Sequence, residues 1–292
     1  MITKKNLRNL LNTLGFTKHS ESVYLKHYGA LDKTLVVDFE KESVTWPNGM
    51  RRGDDTTSNF SSPENFVVLE CVDRLLTKGY RPEHLVLEEK WMLGHEQKGG
   101  KADICVYNDD TSLLLIIECK TAGDEFRKFK KQLFLDGGQL FSYWQQDRSA
   151  KWLCLYASDI IEREENGETV FSVSYADSMV VINCSDDQNL EKTSEADASI
   201  HLYSHAHSVE QLFQVWDETY NKQTYPDVIF GPDSQAYRVD VRPIRKKNLR
   251  QFSPDDGIVN RFWRFCDTTM SATVRMPSIS WCRSSFANSS MR

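Results

Sequence analysis

The sequence lacks the features that direct a chain into a membrane or out of the cell. No apolar run approaches the roughly 20 residues that a membrane-spanning helix needs. Residues 1–14 are basic and periodically apolar, but they have neither the continuous apolar stretch nor the small-residue cleavage site of a signal peptide. We therefore expect a cytoplasmic protein that has no membrane partner.

Paired cysteines and an excess of positive charge are also missing. None of the seven cysteines belongs to a CxxC pair, so they are expected to be buried thiols in a reducing compartment rather than a zinc or disulfide framework. The formal net charge is -6, so DNA binding would have to use local basic patches. Two patches are present, at residues 127–131 and 242–250. Each of these basic patches is also consistent with an ordinary charged surface that contacts only solvent.

The hydrophobic pattern predicts helices and strands in a recognisable order. Residues 3–14 have helical spacing, and a polar, turn-rich stretch follows them. A second helix is predicted to begin after Ser61 and Ser62, with Pro63 in its first turn, and to end at Gly79. The following segments have the period of strands, at residues 85–91, 102–107, 113–120 and 152–157.

A helix from Phe126 to about Gln145, interrupted near Gly137 and Gly138, separates the last two of these strands. The central order is therefore αβββαβ. It predicts an α/β (α+β) fold in which helices flank one central mixed sheet.

The remaining segments are predicted to be extensions of this core. Residues 160–182 are expected to form a hairpin around Asn166 and Gly167, and the acidic stretch 185–199 is expected to be a linker or mobile loop. The predicted organisation is an N-terminal helical and extended region at 1–60, a core at 61–184, a C-terminal extension at 185–261 and an atypical tail at 262–292.

One predicted strand ends in charged residues. The apolar run 113–117 is typical of a strand buried on both faces, and Glu118, Cys119 and Lys120 follow it. Glu118 and Lys120 point to the same face because side chains alternate along a strand. Charges at such a position cost several kcal/mol of desolvation unless they are paired or bound to a metal. An ordinary ion pair at a solvent-exposed edge remains the alternative to a functional site.

Asp103 is the expected partner of these residues. If a turn at 109–112 joins two antiparallel strands symmetrically, Asp103 lies opposite Glu118, with Cβ atoms about 4.5–5.5 Å apart. Two such carboxylates suit Mg²⁺, with Mn²⁺ as the alternative. The metal would activate a bound water while Lys120 orients the nucleophile or stabilises developing charge. This combination predicts phosphodiester hydrolysis.

The surrounding sequence resembles a known nuclease family. The stretches that carry the resemblance are EEKW at 88–91, GGKADI at 99–104, IECKTAG at 117–123 and GGQLFSYW at 137–144. Through them, residues 64–159, about a third of the chain, resemble the N-terminal PD-(D/E)XK nuclease domain of type I restriction enzyme R proteins and of related fused N-6 adenine DNA methylases. The resemblance implies a restriction-endonuclease-like core and an Mg²⁺-dependent DNA endonuclease.

The resemblance also implies which residues act. It maps Asp103, Glu118 and Lys120 onto the family's metal and catalytic positions, and Gln139 and Tyr143 onto its Q-xxx-Y element on the following helix. Gln139 and Tyr143 are four residues apart, so they share one helical face from which both could reach the site or the DNA backbone. Gln139 taken alone also fits a polar residue on a half-exposed helix.

Further residues complete the expected site. An acidic residue of the preceding helix often contributes a metal ligand in this family, and we expect Glu70 rather than Glu64 in that role. Basic residues expected to contact DNA are Lys101, Arg127, Lys128, Lys130 and Lys131.

Two other patterns do not complete a site. Residues 94–101 have the spacing of a phosphate-binding loop, but a second glycine stands in the lysine position and Ala102 follows Lys101, so no ATP site is expected. His201, His205 and His207 have metal-like spacing, yet no Cys or further His lies nearby to complete a tetrahedral site. They are expected to lie on an ordinary surface segment.

Three interpretations of the function follow. The first is a DNA endonuclease domain of a restriction-modification system, whose partners would be DNA and the methylase or specificity subunits. The second is a catalytically inactive DNA-binding or complex-assembly module with the same fold. The third is an RNA nuclease, which would use the same metal chemistry.

The C-terminal tail suggests that the chain is related to a longer protein. By the resemblance, the nuclease domain works beside a helicase motor or a methylase, and the chain has neither an ATP-binding loop nor an Asn-Pro-Pro-Tyr motif. It is therefore expected to be a fragment, a stand-alone nuclease or a subunit. From about Phe262 the composition changes to Trp, Cys, Met, Ser and Arg without periodicity. Codons read in a shifted frame can encode an amphipathic helix that resembles the segment before the fused methylase.

We therefore predict that the tail is frameshifted and that the gene once continued into a methylase. Sequencing of the coding DNA tests this. A single-base change near codon 262 should open a long methylase frame downstream, and the absence of such a frame would end the hypothesis.

Overall fold

Three β-sheets organise the described part of the chain, which comprises residues 1–91 and 100–238 of a computed structural model. The strands, in chain order, are β1 (Thr17–Lys18), β2 (Val23–Tyr28), β3 (Lys33–Asp38), β4 (Ser43–Thr45), β5 (Arg51–Arg52), β6 (Leu85–Lys90), β7 (Lys101–Tyr107), β8 (Leu113–Cys119), β9 (Trp152–Tyr156), β10 (Asp159–Glu165), β11 (Glu168–Ser174) and β12 (Met179–Asn183).

Helices connect and cover these strands. The α-helices, in chain order, are α1 (Leu7–Thr13), α2 (Pro63–Lys78), α3 (Asp124–Asp136), α4 (Gly138–Gln146), α5 (Gln188–Ser194), α6 (Val209–Gln214) and α7 (Asp227–Phe230). Short 3-10 turns lie at Thr56–Ser58, Pro82–His84 and Tyr203–His205, and a π-helical turn lies at Val215–Thr219. Within the described ranges, every helix is too short or too polar to cross a bilayer.

The largest sheet has six strands in the order β12-β9-β8-β7-β6-β5. It is mixed, because β5 runs parallel to β6 and β8 runs parallel to β9, while the other neighbours are antiparallel. Helix α2 contacts β8, and α4 contacts both β8 and β9. The expected architecture of a mixed sheet flanked by helices is therefore confirmed.

The predicted central elements form for the expected local reasons. The Ser62 hydroxyl accepts a hydrogen bond from the Glu64 N–H at the start of α2, and Gly79 ends the helix with a left-handed φ of 100°. Gly137 and Gly138 also have positive φ values and divide the long predicted helix into α3 and α4. Strand β8 is buried along its whole length, as its apolar run predicts.

The N-terminal region contains more structure than its sequence indicates. The stretch predicted to be polar and turn-rich forms a four-stranded antiparallel sheet, β1-β2-β3-β4. Only the alternate positions Leu35 and Val37 of β3 are fully buried, so the hydrophobic signal of each short strand is weak. The next strand, β5, joins the large sheet.

The domain boundaries expected near residues 60 and 184 lie inside one compact unit, Met1–Asp240. Residues 239–292, which include the basic patch at 242–250 and the proposed frameshifted tail, lie outside the described residues.

The region after β9 differs from the prediction in two ways. Asn166 and Gly167 form the expected turn with positive φ values of 53° and 82°, but the hairpin ends at Ser174 and the later residues form β12, which pairs with β9. The segment expected to be a linker contains helix α5. It is also attached to the fold, because the Asp186 carboxylate accepts hydrogen bonds from the N–H groups of Tyr203 and Ser204.

Candidate active site

The structure brings charged side chains together at the end of β8. The Lys120 Nζ atom lies 2.8 Å from Glu118 Oε1 and 3.2 Å from Glu64 Oε2. Glu118 and Lys120 are only 3% and 5% exposed. The expectation that these two side chains share one face of the strand is therefore confirmed, and the ion pair is buried rather than at a solvent-exposed edge.

Asp103 joins this group through the register of the sheet. In the antiparallel pair β7–β8, Ile104 lies opposite Ile117, and the same register continued by one residue brings Asp103 opposite Glu118. The Asp103 Oδ2 atom accepts a hydrogen bond of 2.7 Å from the Cys119 N–H. This bond between strands fixes the carboxylate beside the Glu118–Lys120 pair.

The pKa values show how strongly the charges interact. Burial raises the pKa of Asp103, and the negative charge of Glu118 raises it further, against the opposing effect of Lys120. Burial also raises the pKa of Glu118, while Lys120 acts to lower it. Burial alone would lower the pKa of Lys120, but the nearby carboxylates outweigh it and raise that pKa. Lys120 is therefore held as a cation.

One oxygen of Glu118 is left without a partner. Its Oε2 atom is buried and has no hydrogen-bond partner within 3.5 Å in the described residues, although buried polar atoms are nearly always bonded; the Tyr143 hydroxyl is close enough to the Glu118 carboxylate to lower its pKa. Beside Glu118 is a cavity of about 50 Å³, lined by Phe129 and Leu133 of α3 and by Gln139 of α4. That volume exceeds the roughly 10–15 Å³ that one water needs, but the accessible lining is mostly apolar and does not include Asp103.

Helix α2 contributes Glu64 rather than Glu70. Glu64 lies in the first turn of the helix and pairs with Lys120. Glu70 is fully buried, and its two oxygens accept hydrogen bonds of 2.7 and 2.6 Å from the hydroxyls of Tyr156 and Tyr175. The expected preference for Glu70 over Glu64 is thus corrected, because the packing of α2 turns Glu70 toward a separate tyrosine network.

Gln139 and Tyr143 lie on one face of α4, as expected. The Gln139 amide donates to the Tyr143 hydroxyl at 3.3 Å, and that hydroxyl donates to the Lys101 carbonyl at 2.8 Å. Burial raises the pKa of Tyr143, and the charges of Glu118 and Asp103 raise it further. Tyr143 therefore stays protonated beside the carboxylates and links α4 to the start of β7.

Lys101 is not a free cation. Its Nζ atom lies 3.1 Å from Glu88 Oε1 and 2.6 Å from the Thr56 hydroxyl, and Asp54 is 3.4 Å away. The positive charge of Lys101 is already paired with these carboxylates, which argues against the expected role of Lys101 in binding DNA.

Helix α3 carries the other expected DNA-binding residues. Arg127, Lys128 and Lys131 are exposed and Lys130 is half-buried. Arg127 is paired with Asp124. The ring of Phe129 lies 4.6 Å from the Lys120 ammonium, so the helix that bears the basic patch also covers the buried lysine.

Sequence reasoning missed Asp54 and Glu88, which both lie beside Lys101. Glu88 is fully buried, has a left-handed φ of 57° within β6, and its Oε2 atom has no partner in the described part of the chain. Non-glycine residues adopt such a φ at a cost and often near functional sites. In the sequence, Glu88 stands out only as part of the EEKW stretch, and no local signal connects Asp54 to a strand that begins more than 30 residues later.

The positions of the carboxylate oxygens show whether Asp103 and Glu118 could hold a metal ion. Within residues 1–91 and 100–238, no group of three or more His, Cys, Asp or Glu residues is placed to hold a metal ion. Asp103 and Glu118 supply two carboxylates, and Glu118 Oε2 is unpartnered. This donor set fits Mg²⁺, which commonly binds one or two carboxylates and keeps several waters.

Two further patterns in the sequence are a phosphate-loop spacing at residues 94–101 and three closely spaced histidines. Residues 92–99, which contain most of the phosphate-loop pattern, lie outside the described residues. His201, His205 and His207 are all exposed.

We predict that Gly100→Ala disturbs the position of Tyr143. A Cβ atom on Gly100 would lie 2.3 Å from Tyr143 Cε1, so the ring must move and its bond to the Lys101 carbonyl must stretch. The free energy of unfolding should fall by about 1–3 kcal/mol, measured by urea denaturation. Gly29→Ala, which meets nothing within 4 Å, should change it by less than about 0.5 kcal/mol. Equal effects of the two changes would contradict the close approach.

Comparison with known proteins leaves the family of the chain open. No protein-family model matches it, and no curated protein matches it. The resemblance to restriction nucleases therefore rests on the residues quoted above, and the function has to be inferred from the geometry of the site.

Proposed function

We propose that the chain contains an Mg²⁺-dependent DNA endonuclease domain of a type I-like restriction-modification system. One observation carries the proposal: Asp103, Glu118 and Lys120 converge in a buried position, and one carboxylate oxygen lacks a partner. A purely structural ion pair would be expected to have all its oxygens bonded. A site that holds a divalent ion accounts for the unpartnered oxygen.

The order of the elements gives independent support. Helix α2, strands β6, β7 and β8, helices α3 and α4, and strand β9 follow one another along the chain. If α3 and α4 are counted as one interrupted helix, this succession agrees with the αβββαβ order expected of a PD-(D/E)XK core, which supports the proposal. The acidic pair also lies on neighbouring strands β7 and β8, as the antiparallel register expected from the sequence predicts.

Each residue has a distinct role in the proposed hydrolysis. Asp103 and Glu118 would hold Mg²⁺, which supplies Lewis acidity and a more acidic bound water. Lys120 is kept protonated by its carboxylate neighbours, so it donates a hydrogen bond to the attacking water or to a phosphate oxygen and does not act as a base. Tyr143 holds the start of β7 through the Lys101 carbonyl.

Entry of a phosphate group requires a change at Glu64. The Glu64 side chain is 25% exposed, whereas the Lys120 side chain is 6% exposed, so Glu64 is the solvent-facing partner of the lysine. A phosphate that reaches Lys120 would replace Glu64 as its counter-ion. Lys128 and Lys131 of α3 are exposed, and in this proposal they would bind the flanking phosphates.

A second candidate is an inactive DNA-binding or complex-assembly module with the same fold. Burial of the site favours it, because Lys120 already has two carboxylate partners and the cavity beside Glu118 holds only about 50 Å³. An RNA nuclease would share the metal chemistry. Substrate preference and the effect of substitutions in the site separate these three functions.

We predict that the full chain cleaves DNA in the presence of Mg²⁺ and that Glu118→Gln reduces the rate by a factor on the order of 10²–10³. The variant removes a charged ligand and keeps the side-chain volume, and losing one charge-stabilising group in an active site typically has this effect. Supercoiled plasmid, single-stranded DNA and transfer RNA are incubated with the protein, and the products are resolved on gels.

The matched control is Glu162→Gln on the exposed strand β10, which should leave the rate unchanged. Cleavage of RNA alone would identify an RNA nuclease. DNA binding without cleavage in the wild-type protein would favour the inactive module.

We predict that Mn²⁺ or Mg²⁺ stabilises the wild-type protein by about 2.7 kcal/mol at one hundred times its Kd. Thermal unfolding with and without the ion measures this. Asp103→Asn and Glu118→Gln should abolish the stabilisation, and Glu64→Gln should weaken it because Glu64 shares Lys120 with Glu118. Glu70→Gln is the matched change on the same helix and should retain it. If Glu70→Gln alone abolished the stabilisation by the metal ion, Glu70 would belong to the metal site after all.

A further inference from the structure

Glu88 lies across from Asp103 in the large sheet. In the antiparallel pair β6–β7, the residues on either side of Glu88 lie opposite the residues on either side of Asp103. Glu88 therefore takes the position opposite Asp103, and the regular pairing is interrupted there. Because the register of β7–β8 brings Asp103 opposite Glu118, acidic residues of three neighbouring strands stand in one row across the sheet.

The backbone at Glu88 is fixed in a left-handed conformation by its neighbours. Its φ of 57° is one that a non-glycine residue adopts at a cost. Gly53, directly after β5, packs against this peptide: its N–H donates to the Leu87 carbonyl at 2.8 Å, and a Cβ atom on Gly53 would lie 2.0 Å from the Glu88 carbonyl oxygen. Residues strained in this way persist only where the surrounding structure fixes them, and they concentrate at functional sites.

The side chain of Glu88 anchors Lys101. The carboxyl group is fully buried, and its Oε1 atom accepts hydrogen bonds from the Thr57 N–H at 3.0 Å, from the Lys101 ammonium at 3.1 Å and from the Thr56 hydroxyl. Lys101 begins strand β7, two residues before Asp103. The side chain of Lys101 is therefore tied to the neighbouring strand β6.

The other neighbours of Lys101 are weaker anchors. The Asp54 carboxylate is 3.4 Å from the Lys101 ammonium and lies closer to Lys90, at 2.7 Å. The Thr56 hydroxyl is 2.6 Å from the Lys101 ammonium but carries no charge. Glu88 is thus the buried acidic partner on which the position of Lys101 depends.

The backbone of Lys101 connects this anchor to the candidate active site. Its carbonyl accepts a hydrogen bond of 2.8 Å from the Tyr143 hydroxyl, and that hydroxyl lies close to the Glu118 carboxylate. Two residues further along β7, Asp103 accepts the hydrogen bond from the Cys119 N–H. A shift of Lys101 would therefore disturb both Tyr143 and Asp103.

We propose that Glu88 is a positioning residue of the candidate active site, which holds Lys101 and through it sets the positions of Asp103 and Tyr143. The inference rests on the proposed nuclease function, because it assigns a role within that site. It also explains why a lysine so close to Asp103 has its charge paired inside the fold. Removal of groups that orient metal ligands typically reduces metal affinity or activity by about 10–100-fold.

Two substitutions remove the contact from either side. Glu88→Ala deletes the carboxyl group, and Lys101→Met deletes the ammonium group while keeping a long side chain. Each should lower kcat for plasmid cleavage with Mg²⁺ by about 10–100-fold and change KM by less than about twofold. Because both substitutions break one contact, the double variant should lose no more activity than the weaker single variant.

Two controls separate positioning from general destabilisation. Glu88→Gln keeps an acceptor for Lys101 and for the Thr57 N–H, so its kcat should stay within about threefold of the wild-type value. Glu42→Ala is the matched change, because Glu42 also has a left-handed φ, of 50°, but is exposed. It should leave kcat unchanged.

Hydrogen exchange of the Cys119 amide tests the positioning without any cleavage, because Asp103 is the acceptor of that N–H. In Glu88→Ala and Lys101→Met this amide should exchange at least about tenfold faster than in the wild-type protein, relative to the other amides of β8. If the wild-type protein cleaves no nucleic acid, the proposed function fails, and the exchange rates alone decide the positioning role. Unchanged exchange at Cys119 in both variants, equal acceleration along the whole of β8, or wild-type kcat in both variants would overturn the inference.

Discussion

The ammonium group of Lys120, held between Glu118 and Glu64, is the contact on which the candidate active site depends. With Asp103 beside them, three carboxylates surround one cation, and two of these carboxylates, Asp103 and Glu118, are buried. Burial of such an excess of negative charge is unfavourable unless some carboxyls bind protons or a divalent ion. The unpartnered oxygen of Glu118 is the place where such an ion would relieve the imbalance.

The surrounding fold fixes this cluster from several directions. Strand β8 supplies Glu118, the neighbouring strand supplies Asp103, and the first turn of α2 supplies Glu64. The bond from Cys119 N–H to Asp103 and the bond from Tyr143 to the Lys101 carbonyl tie these elements together. The charged groups are therefore positioned by backbone contacts as well as by their own attraction, which is how a preorganised site is expected to be built.

The sequence predicts the centre of the fold better than its periphery, for physical reasons. The cap at Ser62, the apolar run of β8 and the glycine break after α3 are local signals, and the structure confirms them. The choice between Glu64 and Glu70 is not local. Six residues place them about 120° apart around the helix, so tertiary packing decides which one meets Lys120. The contact of Lys101 with Asp54 likewise depends on chain segments that are distant in sequence.

Diffraction from crystals of the full chain soaked in Mn²⁺ tests the central claim most directly, because anomalous scattering locates the ion itself. A peak within bonding distance of both Asp103 and Glu118 is the expected result. If fully soaked crystals show no anomalous peak at these two carboxylates, or show a peak only at another group of residues, a metal-dependent site at the end of β8 is contradicted.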